Sequence, residues 1–238
     1  TYLGLKLAHP FMIGASPLVD NLETVRQLED GGVAAIVMHS LFEEQVTMET
    51  RGEIRSRDPL DRQFAAALAH FPPPERYALS PAAYLEQIRR VKSAVHVPVI
   101  ASLNGTTIEA WLRIATELEQ AGADALEVNL YDVISGPGRS ALAIESDLRG
   151  LISDLKRTLR IPVALKLSPY FTALGHVVRR LDEAGIDGLV LFNRFYQPDI
   201  DIDTMTIVPR LELSSSAELR LRLQWTALLR DRVKASLA

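Results

Sequence analysis

Polar side chains stand at the ends of short apolar runs, and their types suit the binding of a small polar molecule. These residues are Ser16, His39, Ser40, Ser102, Asn104, Asn129, Lys166, Ser168 and Asn193. An asparagine offers a donor and an acceptor together, which suits a planar heterocycle with amide-like edges. Lys166 lies between Leu165 and Leu167, so strand alternation predicts that it points inward, where an ammonium needs an anionic partner such as a phosphate or an electron-rich ring.

The apolar runs alternate with helical patterns, and this alternation predicts the fold. We predict strands at 11–16, 33–39, 97–103, 125–130, 162–168, 188–193 and 233–238, and helices near 21–30, 81–94, 107–121, 142–158, 171–184 and 216–230. Strict alternation of strand and helix is typical of an α/β fold with right-handed crossovers. We therefore predict one domain, residues 1–238, with a TIM (β/α)8 barrel fold whose polar strand ends converge on one face.

An internal repeat supports this prediction. The run that begins at Pro98 resembles the run that begins at Pro162, 64 residues later, and each is followed by a helical pattern, a turn and a second apolar run. The second runs end at Asn129 and Asn193. The last predicted strand reaches Ala238, where the sequence stops, so we expect a barrel truncated within its seventh strand, before the loops that usually hold a phosphate.

Composition excludes several classes of function. The net charge of −4 and the pI near 5.8 leave no basic field for nucleic acid. Cysteine is absent, which excludes disulfides, thiol chemistry and cysteine-bound metals, and the five histidines lack metal-ligand spacing. Because no apolar run is long enough to span a membrane, we expect no membrane insertion and a cytoplasmic protein.

Five sequence runs are similar to those of the dihydroorotate dehydrogenase family, especially its bacterial dihydroorotate dehydrogenase-like branch. The runs are Phe11-Met12-Ile13-Gly14-Ala15-Ser16, Ser40-Leu41-Phe42-Glu43-Glu44-Gln45, Pro98-Val99-Ile100-Ala101-Ser102-Leu103-Asn104-Gly105, Leu165-Lys166-Leu167-Ser168-Pro169 and Leu191-Phe192-Asn193-Arg194-Phe195-Tyr196-Gln197-Pro198-Asp199. The resemblance implies an FMN-dependent TIM barrel that oxidises dihydroorotate to orotate, a step of pyrimidine biosynthesis, by proton abstraction and hydride transfer to flavin N5.

The resemblance also implies roles for individual residues. Ala15, Ser16, Ser40, Asn129 and Lys166 would bind FMN, with Lys166 near N1 and O2 of the ring, and Asn193 and Asn104 would bind substrate. Asp132 falls where the family has its cysteine or serine base, so it is the candidate catalytic base. The alternative is that Asp132 is a loop residue without a role in catalysis. His39 stands where the family usually has a lysine.

Two other functions stay open at this stage. Lys166 could form a Schiff base in a barrel lyase or aldolase without flavin. Alternatively, the altered base motif could mark a non-catalytic relative that binds a metabolite. The residues do not identify the electron acceptor, and they leave a homodimer open.

Overall fold

The computed structural model describes residues 1–42, 80–104, 108–130, 138–193, 199–208 and 214–238. Within these ranges the strands are β1 (Ile36–Phe42), β2 (Val99–Asn104), β3 (Ala125–Asn129), β4 (Val163–Leu167), β5 (Gly188–Leu191), β6 (Asp199–Asp201), β7 (Thr206–Val208) and β8 (Ser236–Leu237). The helices are α1 (Leu22–Asp30), α2 (Pro81–Ala94), α3 (Ile108–Gln120), α4 (Ala141–Thr158), α5 (Leu174–Glu183) and α6 (Leu219–Leu229), with 3₁₀ turns at Pro17–Asp20 and Ser216–Glu218.

Six of these strands form one parallel sheet in the order β1-β2-β3-β4-β5-β8. Because the order never reverses, every right-handed crossover places its helix on the same side of the sheet. The buried residues of the six helices accordingly share one core with the strand residues on that side. This is the arrangement of successive units in a TIM barrel, so the parallel α/β part of the prediction is confirmed.

The face opposite the helices, here called the inner face, carries a second and smaller cluster. It contains Tyr2, Leu3, Ala35, Val37, Ile100, Ala125 and Ala164. Residues 2–5 form a tight turn whose central residues Leu3 and Gly4 have φ of 53° and 74°. This turn covers the amino-terminal edge of the inner face, and Leu3 packs so close to Gly188 that a Cβ there would lie 2.4 Å from Leu3 Cδ2.

Two predicted segments differ from the structure. The predicted strand 11–16 pairs with β1 only around Ile13, through backbone hydrogen bonds with Ala35 and Val37, because the chain turns into a 3₁₀ helix at Pro17. The predicted strand 233–238 is regular only over Ser236–Leu237. Between the predicted strand 188–193 and the predicted helix 216–230, where no element was predicted, β6 and β7 form an antiparallel hairpin.

Half-buried carboxylates hold the amino-terminal ends of two strands, and they explain the repeat. Asp124 Oδ2 accepts hydrogen bonds from Lys92 Nζ at 2.6 Å and from the Val99 amide at 2.7 Å. In the next unit, Asp187 accepts from Lys156 Nζ and from the Val163 amide in the same way. The lysines and the valines of the two groups repeat the 64-residue spacing of Pro98 and Pro162, and the aspartates are 63 residues apart, so the repeat is one of structural units as well as of sequence.

Candidate functional site

The carboxyl-terminal ends of β1–β5 bring most of the predicted polar residues together on the inner face. Ser40 Oγ and Ser102 Oγ lie 2.8 Å apart, and Asn129 Nδ2 donates to Ser40 Oγ at 3.4 Å. Asn193 Nδ2 donates to Asn129 Oδ1 at 2.7 Å. A chain of hydroxyl and amide groups therefore crosses four strand ends, and it presents donors and acceptors to one side of the sheet.

Lys166 lies beside this chain and contacts a carboxylate that the sequence analysis did not single out. Lys166 Nζ is 3.4 Å from Glu127 Oε1, with side chains 19% and 7% exposed. Glu127 stands between the helix-facing Leu126 and Val128, so the alternation that predicts an inward Lys166 also predicts an inward Glu127. Glu127, a residue of the protein itself, is therefore one anionic partner of Lys166.

We call Ser40, Ser102, Glu127, Asn129, Lys166 and Asn193 the polar cluster. Burial raises the pKa of the Glu127 carboxyl, and the nearby Lys166 ammonium opposes that rise. Burial likewise raises the pKa values of the Tyr2 and Tyr84 phenols, and the charge of Glu127 adds to both effects. The phenols around the cluster are therefore neutral at physiological pH.

A β-bulge in β1 decides which of its side chains reaches the cluster. Val37 pairs with Ile100 and Ser40 with Ser102, so β1 has one extra residue between these pairs. The bulge turns Ser40 inward, while His39 contacts Asp20 at 2.5 Å and meets the Tyr84 ring edge-on at a centroid distance of 4.9 Å. The Tyr84 hydroxyl, also missed by the sequence analysis, donates to the His39 carbonyl at 2.6 Å.

The other predicted site residues lie around the cluster or outside the described ranges. Ala15 packs against the inner-face residues, and Ser16 Oγ is buried with no hydrogen-bond partner in the described part of the chain. Asn104 is buried at the end of β2, where it pairs in register with Phe42. Asp132, the candidate base, lies outside the described residues.

Over the ranges described above, no three His, Asp or Glu side chains are grouped so that they could hold a metal ion. None of the helices in those ranges is long and apolar enough to cross a membrane.

The fold and the row of polar strand ends define a TIM-barrel-like class of α/β protein, and solved structures support this class. A crystal structure assigned to a dihydrodipicolinate synthetase from Pseudomonas aeruginosa matches 97% of this chain and 64% of that chain, with a TM-score of 0.54 and 15% identity. Phosphonopyruvate hydrolase with oxalate and Mg²⁺ matches 95% of this chain and 64% of that chain, with a TM-score of 0.50 and 18% identity. At these identities the likeness concerns the fold alone.

Curated sequences give a closer relationship. The NAD(+)-dependent dihydroorotate dehydrogenase B catalytic subunit of Thermoplasma volcanium is 28% identical over 204 residues, which are 85% of this chain and 64% of the relative. The corresponding subunit of Endomicrobium trichonymphae is 32% identical over 133 residues, 54% of this chain and 42% of the relative. No protein-family model matches the chain. The relatives confirm the resemblance found in the motifs: the chain is dihydroorotate dehydrogenase-like.

Proposed function

We propose that this chain is an FMN-dependent oxidoreductase that oxidises a dihydropyrimidine, with dihydroorotate as the first substrate to test. The observation that carries the proposal is the hydrogen-bonded row of Ser40, Ser102, Asn129 and Asn193 beside Lys166. The names of the relatives support the same chemistry. The chain spans 64% of the length of the Thermoplasma relative. The activity of that whole protein is therefore proposed for this chain and is not shown by the match.

The residues at the carboxyl-terminal edge fit the ring of a flavin. Asn129 and Ser40 offer amide and hydroxyl groups to a heterocycle edge, and Lys166 supplies a positive charge next to them. The buried Ser16 oxygen lacks a partner in the described residues, which suits a hydroxyl that would bond to a ligand, and Ala15 precedes it against the inner-face cluster. When bound, FMN would accept the hydride that leaves the substrate.

The remaining residues of the proposed site act on the substrate. Asn193 and Asn104 would orient the dihydropyrimidine through its amide edges, and Asp132 would accept the proton from one ring carbon while the neighbouring carbon loses a hydride. One C–H bond thus loses a proton and the other a hydride, which leaves a carbon–carbon double bond. We further propose that residues 1–238 form a single domain in a cytoplasmic enzyme.

A spectroscopic titration tests the flavin proposal. We expect the purified chain to bind FMN with a changed visible spectrum, and anaerobic dihydroorotate to bleach the bound flavin. Lys166→Met should weaken FMN binding by at least tenfold, whereas Lys234→Met, which removes an exposed lysine, should leave it unchanged. Failure of the chain to bind FMN would overturn the flavin proposal.

The alternatives are separated by further measurements on the same protein. Borohydride trapping with a carbonyl substrate modifies Lys166 only if the chain is a Schiff-base enzyme. Bleaching of bound FMN by any dihydropyrimidine excludes a non-catalytic relative. Because the relatives are named as NAD(+)-dependent catalytic subunits, NAD⁺ and a partner subunit belong among the electron acceptors tested, and gel filtration with light scattering tests for a homodimer.

A further inference from the structure

Glu127 and Lys166 form a buried pair of opposite charges inside the polar cluster. Glu127 is on β3 and Lys166 on β4, and their charged atoms are 3.4 Å apart. The other members of the cluster, Ser40, Ser102, Asn129 and Asn193, carry no charge. The cluster as a whole is therefore neutral while Glu127 is ionised, although it contains a lysine.

This neutrality limits what the lysine can bind. An anion next to Lys166 is attracted by the ammonium but repelled by the Glu127 carboxylate, and the low exposure of both side chains, 19% and 7%, limits screening of either charge by solvent. Two anions sharing one cation in such surroundings favour protonation of one of them. Glu127 is only 5% exposed, and burial raises the pKa of its carboxyl, so it is the group that would take up this proton.

We propose that Glu127 is a positioning residue that holds Lys166 in place, and that an anionic group binds at Lys166 only when Glu127 takes up one proton. The groups around Glu127 support this assignment: Lys166 of β4 and Ser102 of β2 are its neighbours in the sheet. Its charge also acts on the Tyr2 phenol of the amino-terminal turn and on the Tyr84 phenol, which belongs to the core on the helix side. Both phenols are neutral, so Lys166 is the facing group with a charge.

The first test needs no flavin and therefore does not depend on the proposed function. Reductive methylation with ¹³C-formaldehyde labels Lys6, Lys92, Lys156, Lys166 and Lys234, and Lys166→Arg identifies the Lys166 signal by its absence. We expect that signal to shift as Glu127 is protonated in acid, and nitrate, a planar anion, to bind more tightly at Lys166 as the pH falls. Uptake of one proton predicts a change of up to about tenfold per pH unit.

Variants separate coupling from a general effect of charge. Glu127→Gln should abolish the acid shift of the Lys166 signal and make nitrate binding independent of pH. Glu117→Gln, which removes a carboxylate from an exposed pair with Arg113, should behave like the wild type. A Lys166 signal that does not respond to acid in the wild-type protein, or nitrate binding without pH dependence, would overturn the inference even if Glu127→Gln does not fold.

A second test extends the inference to the proposed cofactor and rests on the proposed function. Reduction adds negative charge to a flavin ring, and Glu127→Gln removes a negative charge next to Lys166. Above neutral pH, the ratio of the affinity for reduced FMN to the affinity for oxidised FMN should therefore be about tenfold or more higher in Glu127→Gln than in the wild-type protein. The preference should disappear in acid. Absence of FMN binding would contradict the proposed function, while the nitrate experiment would still decide the role of Glu127. Equal preferences in both proteins would contradict the inference.

Discussion

Glu127 and Lys166 are charged side chains within strands whose neighbouring residues are apolar. Removing two charges from water costs several kcal/mol per ion, and their attraction offsets this cost only in part. Such a pair is weak evidence for stability. Its position among strand ends that share hydrogen bonds is better explained by a role in binding, where the charge of Lys166 has to be controlled.

The pH dependence of stability should reveal the buried carboxyl. Because burial raises the pKa of Glu127 above its ordinary 4.5, the folded protein keeps this proton to a higher pH than the unfolded chain does. The contribution of Glu127 to the free energy of unfolding therefore falls as the pH rises from about 4.5 through the raised pKa. Urea unfolding measures this effect. The free energy of unfolding of the wild-type protein minus that of Glu127→Gln should fall as the pH rises across this range. A difference that stays constant with pH would contradict a raised pKa of Glu127 in the folded protein.

Asn129 is the central residue of the amide and hydroxyl chain. Its amide donates to Ser40 and accepts from Asn193, so Asn129→Ala removes the acceptor of the Asn193 amide and one of the two hydrogen bonds of Ser40. We expect a loss of about 1–3 kcal/mol in the free energy of unfolding and a weaker binding of FMN. Chemical denaturation and FMN titration measure the two effects. Ser153→Ala, on the exposed side of α4, should change neither.

The sequence predicts part of this site for a clear reason. Strand alternation places Lys166 inward because its neighbours Leu165 and Leu167 are apolar, and the structure agrees. The same argument applies to Glu127, but a carboxylate in an apolar strand attracts attention only once a partner is known. The contact with Lys166 joins residues that are 39 positions apart, and no local pattern encodes it.

At the scale of elements, the bulge in β1 links a helix to the site. Tyr84, fully buried on α2, donates to the carbonyl of His39 and lies close to the backbone of Ser102. Its phenol therefore holds both sides of the bulge that turns Ser40 inward. The prediction of polar strand ends converging on one face was thus wrong for His39, because one extra residue reverses its direction.

Tyr84→Phe tests this link with little change in volume. We expect the loss of its hydrogen bonds to cost about 1 kcal/mol or more in stability and to speed amide hydrogen exchange in β1 around His39. FMN binding should weaken because Ser40 is no longer fixed. The exposed Tyr170 provides a control, since Tyr170→Phe should leave exchange in β1 as it is. Unchanged amide hydrogen exchange of β1 in Tyr84→Phe would show that the Tyr84 hydroxyl does not hold the bulge in place.

The carboxylates at the amino-terminal strand ends predict a different pattern. Asp124→Asn and Asp187→Asn each weaken hydrogen bonds to a lysine and to a strand amide, and should each lower the free energy of unfolding by about 1–3 kcal/mol. Asp154→Asn, in an exposed pair with Arg157, should cost less than about 1 kcal/mol. Thermal unfolding of the three variants compares them directly. Equal losses would mean that the hydrogen bonds from Asp124 and Asp187 to the strand amides are unimportant.

The hairpin of β6 and β7 shows where sequence patterns are weakest. Asp199, Ile200 and Asp201 alternate as a strand should, but both Ile200 and Ile202 are exposed, so the pattern does not mark a buried face. Each strand has only three residues. By contrast, the helices were predicted well because a stripe such as Leu174, Val177, Val178 and Leu181 is buried as its spacing requires.

At the scale of the whole molecule, the amino-terminal turn and β5 meet across the inner face. Leu3 is 4% exposed and occupies the space that a side chain at Gly188 would need. The strands contribute small residues, Ala35, Ala125 and Ala164, to the same cluster. Residues from opposite ends of the chain therefore pack in one layer, which contacts between sequence neighbours could not predict.

A double-mutant cycle tests this packing. Gly188→Ala should be destabilising because its Cβ would clash with Leu3, and Leu3→Ala should cost about 2–5 kcal/mol because it leaves a cavity. The double variant should lose less free energy of unfolding than the sum of the two single losses, because the new methyl group at position 188 occupies part of the cavity that Leu3→Ala leaves. Denaturant unfolding of the four proteins measures the coupling. Additive losses would show that the two residues do not share the space.

The two edges of the sheet have separate tasks, which affects how the protein can change over time. Asp124 and Asp187 support the fold at the amino-terminal edge, while Ser40, Asn129 and Lys166 belong to the polar cluster at the carboxyl-terminal edge, where we propose that the ligand binds. Substitutions at the carboxyl-terminal edge leave these supports intact, so their cost in stability is confined to the hydrogen bonds and the ion pair of the polar cluster. A new activity could therefore be selected from this scaffold by varying the carboxyl-terminal edge alone.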